Sequence, residues 1–94
     1  MDEQINKILL ALDMSQEEID NCYTFCPGLD IVDPDKVVEN INLLIRHGYP
    51  QDDVGLLLSV NPGIMMYEPT DLDEKLSSLG SDIEEVLKND PFAI

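Results

Sequence analysis

The sequence has 94 residues and carries five Lys and Arg against 20 Asp and Glu, giving a net charge of −15 at neutral pH. This balance disfavours binding to nucleic acids, because such binding needs cations that displace counterions from phosphates. It disfavours binding to anionic membrane surfaces for the same reason. The length and the apolar fraction of 44% suit one domain with a modest aliphatic core, which we predict to span residues 1–94.

Helix-start and helix-stop signals predict six helices. Ser15 with Glu18 and Ser81 with Glu84 have the form of capping boxes. Asp33 before Pro34 predicts an N-cap followed by Pro at the first helical position, and Thr70 with Asp73 is a weaker start signal. Helices should stop at Gly48 and Gly80. The predicted helices lie near residues 2–13, 16–25, 35–47, 51–60, 71–79 and 82–89.

Apolar side chains recur at i, i+3 and i+4 along these helices, which makes one buried stripe on each. The stripes of the second helix in each pair are Ile19/Cys22/Tyr23, Val54/Leu57/Leu58 and Ile83/Val86/Leu87. Those of the first helices are Ile5/Ile8/Leu9, Ile41/Leu44/Ile45 and Leu72/Leu76/Leu79. Short connections favour antiparallel neighbours, so we expect three helical hairpins and no sheet, because no stretch alternates with period two.

The chain also repeats itself at a spacing of 35 residues. Cys26-Pro27-Gly28-Leu29 falls on Asn61-Pro62-Gly63-Ile64, and Gln16-Glu17-Glu18-Ile19 falls on Gln51-Asp52-Asp53-Val54. A shortened third copy ends at Asp90-Pro91-Phe92-Ala93, which places the repeats at approximately 1–33, 34–68 and 69–94. Such periods are typical of stacked supersecondary units. Each Pro should end the second helix, and the apolar residues after it should cover the hairpin as a short 3₁₀ turn.

This pattern resembles the repeat of mitochondrial transcription termination factors, the mTERF motif. The matching positions are Pro27 with Leu29 and Ile31, Pro62 with Ile64 and Met65, and Pro91 with Ile94, and the segment from Val37 through NPGIMM resembles one complete motif. The resemblance implies an all-α stack of about three hairpins, with right-angle Pro-terminated turns between repeats. It also implies nucleic-acid binding on a basic concave face, whereas this chain is short and acidic and we expect no targeting segment.

Several residues admit a chemical interpretation. Cys22, Cys26 and His47 could supply three metal ligands, but structural zinc sites use four, and Cys22 occupies the repeat position of the core residue Leu57. His47 beside Arg46 suits a helix C-terminus without a catalytic role. The acidic cluster around Pro34 lacks the central Gly of a calcium loop. We therefore predict no catalytic residue, no metal site and no cofactor.

Two groups of residues are candidates for contacting a partner. Glu17 with Glu18 and Asp52 with Asp53 recur at the start of second helices, where the helix dipole favours negative charge and where they could face a basic partner. Met65, Met66 and Tyr67 are of types favoured at adaptable interfaces, although a role in covering the core is favoured over a partner contact.

The prediction is a non-enzymatic protein-interaction module whose acidic helical surface engages a protein, most simply a basic one. The alternatives are an mTERF-like nucleic-acid-binding protein, which the charge opposes, and an acidic mimic of DNA. The start Met1-Asp2-Glu3-Gln4 has neither the basic and apolar regions of a secretion signal nor the character of a transit peptide, so a cytoplasmic location is expected.

Overall fold

The structure is a computed structural model, and it describes residues 3–94, which form helices joined by short turns and contain no strand. The α-helices are α1 (Glu3–Ala11), α2 (Gln16–Phe25), α3 (Pro34–Arg46), α4 (Gln51–Val60), α5 (Pro69–Leu79) and α6 (Ile83–Asn89). The all-α prediction is therefore confirmed, and all six helices lie where the sequence places them. The predicted start of the first helix at residue 2 lies outside the described residues.

The predicted stripes form the core of the molecule. Of their 18 residues, the structure buries 13 and half-buries the others, which are Ile8, Tyr23, Ile45, Leu79 and Val86. Helices α1, α3 and α5 pack side by side in one layer, and α2 and α4 pack in a second layer. We call these the first-helix layer and the second-helix layer, the latter including α6.

Two of the three Pro segments form the predicted 3₁₀ turns, which span Pro27–Ile31 and Pro62–Met66. The third Pro segment makes only a turn, closed by the Ala93 N–H donating to the Asp90 carbonyl at 3.0 Å. A further 3₁₀ turn at Gly80–Asp82, which we did not predict, joins α5 to α6. Both α3 and α5 end at glycines with positive φ, as expected, with φ of 106° at Gly48 and 69° at Gly80.

Two of the four predicted helix N-caps are present in the structure. Ser15 and Glu18 form a complete capping box, and Asp33 caps α3 by accepting a hydrogen bond from the Asp35 N–H. The box predicted at Ser81 is wrong because Ser81 lies inside the 3₁₀ turn and caps nothing. The start predicted at Thr70 is also wrong. Pro69 takes the first helical position with Glu68 at the N-cap, because the fixed φ of Pro begins the helix there.

This difference between two similar serines can be measured. We expect Ser15→Ala to lower the free energy of unfolding by about 1 kcal/mol, because the Ser15 hydroxyl accepts the Glu18 N–H at 3.1 Å. We expect Ser81→Ala to change it by less than about 0.5 kcal/mol, as for an ordinary surface substitution. Urea unfolding of both variants tests the pair, and equal losses would contradict the assignment of the caps.

Candidate partner-binding surface

The paired carboxylates occupy the first turns of α2 and α4, and in each pair the two members differ. The inner member has a structural partner: Glu18 accepts a hydrogen bond from the Ser15 N–H at 2.8 Å, and Asp53 pairs with Lys88 at 2.9 Å. The outer members, Glu17 and Asp52, are exposed, and within residues 3–94 neither has an ion-pair partner. Glu17 and Asp52 are therefore the predicted carboxylates that remain available to a partner.

Successive contacts show that α2 and α4 run in the same direction. The Cys22 thiol lies 3.6 Å from the Leu58 carbonyl oxygen, and Phe25 and Val60 line one cavity further along both helices. The first turns of the two helices therefore lie at the same end of the second-helix layer. The same order holds between α4 and α6, where Lys88 contacts Asp53 and the Asn61 side-chain amide donates to the Pro91 carbonyl at 2.9 Å.

The outer face of this layer changes from acidic to apolar along the helices. On α4, Asp52, Leu56 and Val60 are spaced four residues apart and so share one face. On α2, Glu17 and Phe25 occupy the corresponding ends of a similar face. The exposed fraction is 74% for Phe25, 66% for Leu56 and 45% for Val60. Carboxylates thus lie at the start of both helices and large apolar side chains at their ends.

Phe92 extends this apolar area from the third Pro segment. It is 65% exposed and lines a cavity of about 350 Å³ together with Phe25 and Val60. A second cavity of about 360 Å³ lies on the other side of Val60, between α4 and α6, where Leu56, Leu87 and Pro91 line it. We call Phe25, Leu56, Val60 and Phe92, with these two cavities, the apolar groove.

The residues of the apolar groove were not predicted from the sequence as partner contacts. A signal was present, because Phe25, Leu56 and Val60 are apolar and lie outside the predicted buried stripes. Phe92 also departs from the repeat, since it follows Pro91 where Gly28 and Gly63 follow the other two prolines. Large apolar residues outside the core stripe of a helix are candidates for an interface.

The structure corrects one of the three partner contacts predicted at Met65, Met66 and Tyr67. Met65 is fully buried because the second 3₁₀ turn packs on α3 and α4, so its side chain contacts the core instead of a partner. Met66 and Tyr67 are half-buried, and the Lys75 ammonium lies 5.8 Å from the centre of the Tyr67 ring. Tyr67 lines a separate shallow pocket with Asp71 and Glu74, and it has no part in the apolar groove.

Cys22 and His47 both contact other parts of the protein and do not form a chemical site. Cys22 is fully buried, as its repeat position predicted, and this burial raises the pKa of its thiol to about 11, with a smaller contribution from Cys26. The thiol is therefore neutral at physiological pH and poorly suited to act as a nucleophile or metal ligand. His47 forms a 2.6 Å contact with Asp73 of α5. Across residues 3–94, no group of three His, Cys, Asp or Glu side chains is arranged to hold a metal ion.

Comparison with known proteins identifies no relative of this chain. No protein-family model, no curated protein and no solved structure matches the chain. In the part of the chain that the structure describes, no helix has both the length and the apolar character needed to cross a bilayer.

Proposed function

We propose that this chain is a non-enzymatic protein-interaction module that uses the second-helix layer to engage a basic protein in the cytoplasm. The observation that carries the proposal is the polarised face of this layer, where exposed Glu17 and Asp52 lie at one end and the apolar groove at the other. Interfaces combine a desolvated apolar centre with charges that steer the partner and set its orientation. The exposed carboxylates select a partner with Lys and Arg.

The surroundings of the cations favour a protein over a nucleic acid as the partner. Lys36 pairs with Glu68, His47 with Asp73, and Lys88 with both Asp53 and Glu84. Lys75 lies in a pocket that also contains Asp71 and Glu74. Phosphate binding depends on cations that are free to replace counterions. Lys36 and Lys88 already face carboxylates, which leaves Lys7, Arg46 and Lys75 without an ion pair in residues 3–94.

We also propose that the three hairpins form an mTERF-like stack. This is supported by contacts that advance in the same direction between corresponding helices, as when Lys36 meets Glu68 and His47 meets Asp73 between α3 and α5. The 3₁₀ turns at Pro27–Ile31 and Pro62–Met66 add to this support. The architecture would serve here as a scaffold for a different surface, since a fold does not fix a function.

Affinity capture with a charge-matched control tests the protein-binding role. The wild-type chain is compared with the double variant Glu17→Gln/Asp52→Asn and with Glu39→Gln/Glu74→Gln, which removes two exposed carboxylates from the first-helix layer. We expect the wild type and the control to retain the same basic proteins from a lysate of the source cells at physiological salt, and the Glu17/Asp52 variant to lose them. Equal retention by all three proteins would overturn the proposal.

Titration of labelled single- and double-stranded DNA and RNA by fluorescence anisotropy tests the competing role. We expect no binding at physiological salt, because a chain of net charge −15 repels a polyanion. Binding that survives physiological salt would replace the protein partner with a nucleic acid as the ligand of this chain.

A further inference from the structure

We infer that the apolar groove binds a helical segment of the partner protein in which bulky apolar side chains lie about two helical turns from Lys or Arg. This inference rests on the proposed function and specifies the chemistry of its partner. It follows from the groove's exposed side chains, from the distance to the carboxylates and from the lack of a strand edge around the groove within residues 3–94.

The groove offers two anchor positions close together. Its cavities, of about 350 and 360 Å³, share Val60 as a common wall. Each is open at the surface and lies at the small end of the range for small-molecule sites, which enclose most of their ligand. Two shallow apolar depressions side by side suit two side chains projecting from one partner element, as in grooves that receive the apolar face of an amphipathic helix.

The charges fix where the cations of the partner must lie. Asp52 precedes Val60 by eight residues, and Glu17 precedes Phe25 by eight, which corresponds to about 12 Å along each helix. Lys88, which lines the second cavity, is already bound between Asp53 and Glu84 at 2.9 Å each, and these contacts raise the pKa of Lys88 above its ordinary value. Glu17 and Asp52 therefore remain to attract the partner's cations.

The secondary structure of the occupant follows from hydrogen bonding. The groove is bounded by α2, α4 and α6 and by the turns that follow them, and no strand lies in residues 3–94, so it offers no ladder of backbone donors and acceptors. An extended segment would leave its own backbone unpaired against this surface. A helix satisfies its backbone internally and presents only side chains, which is what the groove can contact.

A second copy of this chain would fit the groove poorly. Two copies of net charge −15 repel each other, and Lys36, His47 and Lys88 already face carboxylates. A copy would therefore not bring to Glu17 and Asp52 the cluster of cations that a basic partner brings. The partner is accordingly a different protein.

Two synthetic peptides of identical composition provide the test. Both are labelled, of roughly 16 residues and rich in Ala, because shorter helices are marginal in water. The separated peptide has Leu and Phe on one face of one half and Lys on the same face of the other half. The mixed peptide alternates the same residues along that face. We expect the separated peptide to bind the wild-type chain about tenfold more tightly at physiological salt, measured by fluorescence anisotropy.

Substitutions in the protein complete the test. Leu56→Ser and Phe92→Ser remove exposed apolar side chains, so the fold should be retained, which circular dichroism and thermal unfolding verify. We expect each substitution to lower the affinity for the separated peptide by about fivefold or more, as for side chains at the centre of an interface. Val38→Ser is the matched control, because Val38 is also exposed but lies on the first-helix layer, and it should leave the affinity unchanged.

The outcomes distinguish this inference from the proposed function. Equal binding of both peptides, unaffected by Leu56→Ser but weakened by Glu17→Gln/Asp52→Asn, would overturn the groove while leaving an acidic binding surface. Failure of both peptides to bind would overturn the groove, and the capture experiment would still judge the function on its own. Sedimentation of the wild type as a dimer that Leu56→Ser converts to a monomer would assign the groove to a second copy and overturn the inference.

Discussion

Gly55→Ala should destabilise the protein, although Gly55 lies inside α4, where the same exchange normally strengthens a helix. A Cβ on Gly55 would lie 2.5 Å from the Leu12 carbonyl oxygen and 3.2 Å from Met14 Cγ. Overpacking of this kind costs about 1–3 kcal/mol, against a gain in helix propensity of about 1 kcal/mol. We therefore expect Gly55→Ala to lower the free energy of unfolding by about 1–2 kcal/mol, and Gly55→Val to lower it further, in urea unfolding.

The contacted backbone has little freedom to move away from Gly55. Leu12 belongs to the turn between α1 and α2, where the Leu12 and Met14 N–H groups both donate to the Leu9 carbonyl, at 3.1 and 3.3 Å. Ser77→Ala in α5 is the control, because Ser77 is exposed and should show the ordinary small gain from helix propensity. A stabilised Gly55→Ala variant would mean that the turn does not pack on α4 as the structure describes.

The helices of this chain could be predicted because their signals are local. A cap such as Ser15 and an apolar spacing such as Ile19/Cys22 each depend on a few neighbouring residues, and both predictions are confirmed. Local signals failed at Ser81 and Thr70, where a 3₁₀ turn and Pro69 compete with the predicted caps. Other features depend on a distant segment. Met65 is buried by α3 and α4, and Gly55 is required by a turn about 40 residues away, so neither requirement is visible in a single helix.

The candidate site was predictable only in part for the same reason. The sequence placed the carboxylate pairs in the first turns of α2 and α4, where the structure also has them. It could not separate Asp53, which pairs with Lys88 of α6, from Asp52, which remains exposed. The apolar groove likewise arises from three elements, and only their packing brings Phe92 next to Phe25 and Val60.

Asn40 should be among the most sensitive positions to substitution, because its side chain ties the second 3₁₀ turn to α3. Asn40 is 1% exposed, and its amide nitrogen donates to the carbonyls of Ile64 at 3.2 Å and Tyr67 at 2.9 Å. Asn40→Ala would leave the Tyr67 carbonyl without that donor, at a cost of about 1–3 kcal/mol for an unsatisfied buried group. The Ile64 carbonyl would lose one of its two donors and keep the Tyr67 N–H at 3.4 Å. We expect a loss of about 2–3 kcal/mol, which corresponds to a decrease in Tm of roughly 10–20 °C.

Asn40→Leu tests whether the loss of stability comes from the missing hydrogen bonds or from the cavity left by a smaller side chain. Leu has the same number and branching of side-chain heavy atoms as Asn, so it leaves no cavity, but it has no donor for the Ile64 and Tyr67 carbonyls. If the hydrogen bonds hold the turn, Asn40→Leu will be about as unstable as Asn40→Ala, whereas recovery of wild-type stability would identify the cavity as the cause. Asn42→Ala, exposed on the same helix, should change the free energy of unfolding by less than about 0.5 kcal/mol. The second 3₁₀ turn buries Met65 and packs on α4, whose outer face carries Leu56 and Val60. The Asn40 variants should therefore also weaken the binding of the separated peptide, in proportion to the fraction of the protein that is unfolded.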